Sequence, residues 1–304
     1  MKITLDTTEK PISVKSLFAD FTAITKARLA VSVVFSSMAG YLLGFSDANP
    51  FSWVTFILLG IGGYCMVGAS NVFNQIIEKD LDSLMDRTKN RPVPSGKISV
   101  KNAFWLGCLL TVLGIGILYA INPKTAMFGA ISIFLYTSVY TPLKTKTPLA
   151  VFVGAFPGAI PYMLGWVAAT NNFGIEAGTL FMIQFFWQFP HFWAIGWFLY
   201  DDYKKAGFFM LPTRKKDKKT ALYTILYTVW LILASLLPVT GFTGELKLSY
   251  ISAAIVLLVG VWMLVYAIKL YKKMDGPAAR KLMLVSVSYI SLLQVIYVID
   301  KFIR

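Results

Sequence analysis

Apolar residues fall along this chain in long runs separated by short polar stretches. Nine runs can be marked, near 29–46, 53–77, 102–121, 125–141, 149–170, 178–199, 220–240, 249–270 and 282–300. About 20 residues of α-helix cross the hydrocarbon core of a bilayer, so each run predicts one transmembrane helix. The pattern divides the chain into a polar segment over 1–28 and a single membrane domain over 29–304. Pro157, Pro161 and Pro190 fall inside the fifth and sixth runs and predict kinks with a cavity beside them. Gly60, Gly62, Gly63, Gly68, Gly154 and Gly158 let helices approach closely, and packing suffices to explain them.

Composition agrees with this reading. The chain has 304 residues, 57% of them hydrophobic and 14% charged, which excludes an ordinary soluble domain and predicts an all-α polytopic membrane protein. The net charge of +14 would suit a nucleic-acid binder, but the bases sit in short loops between apolar runs, so the partner is lipid and not nucleic acid. With the N-terminus cytoplasmic and the C-terminus outside, only Lys124, Lys247, Lys301 and Arg304 of the 29 basic residues fall on the outer side. That asymmetry selects this orientation and a bacterial plasma membrane location. The first 28 residues mix Asp6, Glu9 and Asp20 with lysines around no apolar core, which disfavours a signal or transit peptide. Cys65 and Cys108 lie inside apolar runs and read as small buried hydrophobes.

One stretch breaks the pattern. Asn71 to Pro92 reads NVFNQIIEKDLDSLMDRTKNRP and places Asn74, Glu78, Asp82 and Asp86 at steps of four. On a helix Asn74, Glu78 and Asp82 then project together, with Asp86 at the edge of that face. Carboxylates so spaced repel one another and are costly beside a bilayer, so a cation belongs among them. Oxygen ligands without Cys or His suit Mg2+, which pairs a few carboxylates with substrate phosphates. Arg87 and Arg91 follow as phosphate donors. The plainer alternative is a solvated helix end whose acids and bases neutralise one another.

A second acidic site follows the sixth run, in QFPHFWAIGWFLYDDYKKAGFFMLP. Asp202 is its candidate metal ligand. His191, eleven residues earlier and so on the same helical face, reads equally as a hydrogen-bonded packing residue or as part of a substrate chamber. Arg214, Lys215 and Lys216 read either as a clamp on diphosphate or as an orientation signal and lipid contact. Lys144 and Lys146, in TPLKTKTP, divide similarly, with phosphate contact favoured for Lys144. Tyr140, Tyr162, Trp166, Phe189, Trp193 and Tyr203 would follow from interfacial aromatic belts alone. An aromatic lining also stabilises a carbocation without offering it a nucleophile.

Taken together, the two motifs resemble the UbiA family of intramembrane prenyltransferases. The resemblance is carried by Asn74, Glu78, Asp82, Met85, Asp86, Arg87, Thr88, Arg91 and Pro92, then by Tyr140-Thr141, Lys144, Gly154, Gly158, Pro161 and Gly165-Trp166. It continues through Pro190-His191, Asp202-Tyr203, Ala206-Gly207 and Met210-Leu211-Pro212. Glu78 stands where the family usually has Asp, and Gln75 where it often has Asp. The resemblance implies a nine-helix bundle with Mg2+ held by Asn74, Glu78, Asp82 and Asp202. It implies diphosphate held by Arg87, Arg91, Lys144, Arg214 and Lys215, and a chamber lined by Tyr140, Trp166, His191, Trp193 and Tyr203. The pattern is most similar to the haem-farnesylating branch, implying farnesyl diphosphate as donor and haem B as acceptor, with Mg2+ as the cofactor. A downstream haem-modifying enzyme or the terminal oxidase assembly machinery would then be a partner. The loop after the sixth run is the candidate gate. Rival readings are a family member acting on an aromatic acceptor in quinone biosynthesis, a secondary transporter, and a structural role in oxidase assembly. Transporters place their sites near the midplane, whereas these ionisable residues cluster at one face.

Overall fold

The computed structural model describes residues 14–304, and the part of the 1–28 segment before Val14 lies outside the described residues. Within that segment the chain forms a helix, α1 (Val14–Ile24), where a polar stretch was expected. The long helices that follow are α2 (Ala27–Gly44), α3 (Trp53–Ile77), α5 (Val100–Ile121), α6 (Pro123–Phe134), α8 (Leu149–Thr170), α9 (Ile175–Phe198), α11 (Lys218–Leu236), α12 (Tyr250–Lys273) and α13 (Gly276–Ile303). Three short helices, α4 (Lys79–Ser83), α7 (Thr141–Leu143) and α10 (Tyr200–Lys205), lie in the polar loops. No strand occurs among the described residues.

Eight of these helices are long and apolar enough to cross a membrane. The fourth joins α6 to α7 through a π-helical segment, Leu135–Tyr140, which the sequence pattern does not announce. A further long helix, α9, has 24 residues but carries Gln184, Gln188, Pro190 and His191, so its composition is less apolar than that of the eight. It packs against α8, α11 and α13. Helix starts follow ordinary rules: Ser52, Ser99, Asn122, Asp217, Ser249 and Asp275 each accept a backbone N–H from the first turn.

Backbone proximity fixes the contact of α2 with α8. A Cβ on Gly40 would sit 2.0 Å from Tyr162 O, and one on Gly165 would sit 1.9 Å from Ser37 O, so only glycine fits. The expected prolines lie in unbroken helices. Pro161 removes the donor that Pro157 O would otherwise receive, and Ser132 Oγ from α6 donates to that carbonyl at 3.2 Å. A buried polar seam crosses the bundle: Gln294 donates to Ser36 Oγ at 3.0 Å and to Gln184 Oε1 at 3.4 Å.

The two ends of the bundle differ in kind. At one end Lys301 bonds to Leu43 O and Phe45 O, Arg304 pairs with Asp300, and Lys124 donates to Asn171 O. All of the acidic-motif residues lie at the other end.

Candidate active site

Construction of the site begins with α3. Its helical hydrogen bonding runs past the formal end at Ile77, because Glu78 N donates to Asn74 O at 2.9 Å and Asp82 N to Glu78 O at 2.7 Å. Asn74, Glu78 and Asp82 therefore stay on one face, and all three are buried. The loop beyond is pinned by Met85 and Val93, both 1% exposed, and by Thr88, whose Oγ1 donates to Asp82 O at 2.8 Å.

Each acid meets a cation. Glu78 Oε1 lies 2.8 Å from Lys144 Nζ, and Asp82 Oδ2 lies 2.7 Å from Arg91. Burial works against the Lys144 ammonium, but Glu78 and Tyr136 outweigh it and raise its pKa. Lys144 also stands over the Tyr140 ring at 4.5 Å. That ring fills the space Gly154 leaves, since a Cβ there would come within 2.6 Å of Tyr140 Cδ2. Asn74 Nδ2 donates to Thr141 Oγ1 at 3.3 Å, so its amide oxygen is the atom able to meet a cation.

Asp202 meets the first motif through that motif's backbone. Its carboxylate accepts the backbone N–H of Asp86 at 2.9 Å and of Arg87 at 3.4 Å, holding the first motif's loop against α10. Asp86 is bridged to Lys89 and Lys205, whose hydrogen bonds hold its pKa down at about 2. Arg87 reaches the Tyr203 hydroxyl at 3.5 Å. A second tie joins the motifs where Phe209 N donates to Lys144 O at 2.7 Å. Helix α10 ends on Gly207 at φ 69°, a left-handed cap that glycine adopts without strain.

Among the described residues no three His, Cys, Asp or Glu side chains converge as a metal cage. Asp202 is thus not gathered with Glu78 and Asp82 into one acidic cluster. The donor set nevertheless fits a hard cation bound jointly with phosphate: Asp82 Oδ1 is buried and lacks a hydrogen-bond partner, and Glu78 beside it is held only by Lys144. Arg214 and Lys215 are exposed; Arg214 turns onto the Phe209 ring at 4.3 Å.

The expected chamber residues separate. Tyr140 and Tyr203 adjoin the motifs. Trp166 packs beside Gly44 toward the far end of α8, about 25 Å along the helix from Leu149, because α8 rises 1.5 Å per residue. His191 Nδ1 meets Ser286 Oγ on α13 at 2.8 Å and its ring stacks on Trp187 at 4.6 Å, the packing arrangement of its two readings. Trp193 faces an outer groove bounded by α8, α9 and α11.

Lys26 joins the site without having been singled out for a role in it. Asn71 Nδ2 and Gln75 Nε2 donate to Thr25 O and Ile24 O at 3.1 and 2.9 Å, locking the corner between α1 and α2. The corner turns at Lys26, a left-handed residue with φ 49°. Burial, then the like charges of Arg91 and Lys144, lower the Lys26 pKa to about 7.

A model of the UbiA prenyltransferase family matches residues 33–293. The chain belongs to that family. Among UbiA relatives, a protoheme IX farnesyltransferase of Flavobacterium johnsoniae is 68% identical over 300 residues, covering 99% of this chain and 100% of the relative. One of Cytophaga hutchinsonii is 42% identical over 289 residues, covering 94% and 99%. Among solved structures, a digeranylgeranylglyceryl phosphate synthase aligns with a TM-score of 0.75 at 18% identity, over 93% of this chain and 98% of that one. A UbiA homologue from Archaeoglobus fulgidus bound to GPP and Mg2+ aligns at 0.61 and 16% identity, over 91% and 99%. These two show a shared fold. UbiA membership makes the protein a multi-pass membrane prenyltransferase and sets the transporter reading aside.

Proposed function

We propose that the protein transfers the farnesyl group of farnesyl diphosphate to a vinyl group of haem B, with addition of water, forming haem O. The observation that carries this reading is the buried pairing of Glu78 with Lys144 and of Asp82 with Arg91. It supplies acids for a cation and bases for diphosphate in one place. The full-length likeness to protoheme IX farnesyltransferases supports haem as the acceptor. The bundle crosses a bacterial inner membrane nine times, α9 included, with its N-terminus and acidic end cytoplasmic.

Asn74, Glu78 and Asp82 would hold Mg2+, which supplies positive charge against the departing diphosphate. Lys144 and Arg91 neutralise the acids in the free protein and turn to the diphosphate oxygens when substrate arrives, and Arg87 and Lys26 add donors. Asp202 positions the loop that carries Arg87. Cleavage of the C1–O bond gives diphosphate and an allylic cation beside Tyr140 and Tyr203, whose ring faces stabilise it. The haem vinyl π electrons form the new carbon–carbon bond. Water then adds to the resulting cation and releases a proton, leaving a hydroxyl.

The test is a mass spectrum of haems extracted after incubating the detergent-solubilised protein with haem B, farnesyl diphosphate and Mg2+, beside an EDTA control. A haem heavier by a farnesyl group and a hydroxyl, absent with EDTA, is the expected product. Unchanged haem from folded protein would overturn the haem assignment, and an aromatic acceptor would then be assayed.

A further inference from the structure

Outside the acidic site lies an aromatic concavity, the groove bounded by α8, α9 and α11. Its volume is about 320 Å3, with Phe152, Phe189, Trp193, Tyr223 and Tyr227 among its walls and Pro148 and Pro212 at its rim. Its flanks face outward: Leu149, Phe152 and Tyr223 are exposed by 64, 43 and 41%. An apolar recess on the outer surface of a membrane domain is filled by acyl chains, so the informative question concerns the head group.

Two lysines adjoin the groove's walls in sequence. Lys146 precedes Pro148 by two residues, at the start of α8. On α11, Lys219, Tyr223 and Tyr227 follow at steps of four, so Lys219 stands one turn beyond the tyrosine wall. Both lysines are exposed, and neither has an ion-pair partner within 4 Å among the described residues. Lys144 pairs with Glu78, Lys216 with Asp201, and Arg214 lies on Phe209, while Lys215 and Lys218 are exposed like Lys219. The nearest acid along α11, Asp217, is engaged by Thr213 and Thr220 as the helix cap.

We propose that this groove is a binding site for one anionic glycerophospholipid, its phosphate between Lys146 and Lys219 and an acyl chain along Phe152, Phe189, Trp193 and Tyr227. The span from Lys219 to Tyr227 is about 12 Å of helix, enough to carry a chain from the interface into the hydrocarbon. Such a lipid braces the α8 start and the α11 start together. The loop carrying Lys144 leads into the first of these starts and the loop carrying Phe209 into the second, and the two loops are joined by the Phe209–Lys144 hydrogen bond.

Native mass spectrometry of the full chain in detergent, titrated with phosphatidylglycerol or phosphatidylcholine, tests the head group. The wild type is expected to bind the first copy of phosphatidylglycerol roughly tenfold to thirtyfold more tightly, and Lys146→Gln/Lys219→Gln to lose that preference. Equal affinity for the two lipids, or an unchanged preference in the double variant, overturns the proposal. Phosphatidylglycerol with brominated chains tests the groove itself: it is expected to quench a tryptophan emission that Trp193→Phe lacks. Identical quenching in wild type and Trp193→Phe overturns the placement, as does displacement of the brominated lipid by stoichiometric haem B.

Discussion

The Lys144 ammonium sits 2.8 Å from Glu78 Oε1, with the two side chains only 10% and 4% exposed. Removing one partner of a buried pair strands the other charge, at a cost of about 3 kcal/mol or more. Lys144→Met is therefore expected to lower thermal stability in detergent. Adding Glu78→Gln should restore stability while turnover stays lost, since both charges serve the substrate. A double variant that regains turnover would remove both from the machinery.

Because both acids already hold a protein cation, folding should not depend on metal. EDTA is expected to abolish turnover and leave the melting temperature within a degree or two, about what a surface-level change gives. Mg2+ should restore the rate. A large EDTA-induced drop in melting temperature would instead mark a resident structural metal.

Asp202 acts on the backbone of Asp86 and Arg87. Asp202→Ala is expected to speed amide hydrogen exchange over residues 86–89 and to weaken prenyl diphosphate binding at least tenfold, with the protein still inserted. Asp202→Asn, which keeps a carbonyl acceptor, should recover part of the protection. Unchanged exchange in the alanine variant would argue for direct ligation of the cation.

Lys26 makes diphosphate affinity depend on pH. Its pKa, lowered to about 7 in the free protein, leaves it charged below that value and neutral above it. A bound anion favours the charged form, so affinity is expected to fall as pH rises from 6 to 8. Lys26→Met should bind more weakly at pH 6 and show a flatter profile, read by isothermal titration with a non-reactive prenyl diphosphate analogue.

Much of this arrangement was legible beforehand. The four-residue spacing of Asn74, Glu78 and Asp82 survives because the helical hydrogen bonds continue through Glu78. Asp82 with Arg91 is a local pairing, nine residues apart, and could be anticipated from the loop. Partners distant in sequence could not. Nothing local shows that Asp202 would take backbone N–H groups, that His191 would turn to Ser286, or that Trp166 would lie near the far end of α8. Lys26 was missed because its environment is made by Arg91 and Lys144, although the unusual pair Asn71 and Gln75 in an apolar run was a signal that some backbone there needed donors. Hydropathy marks α9 least clearly for the same reason, since its glutamines and histidine face other helices.

The π-helical turn at Leu135–Tyr140 has an evolutionary corollary. There, Thr141 N reaches back five residues to Tyr136 O, so the helix contains a residue more than regular winding would use. Each residue of α-helix turns about 100°. Losing a single residue between Leu135 and Tyr140 would relax the turn to ordinary winding at the cost of swinging Tyr140 and Lys144 out of register with Gly154 and Glu78. Substitutions can drift through this segment, but a codon-length insertion or deletion cannot pass without dismantling the charge pairing it aims.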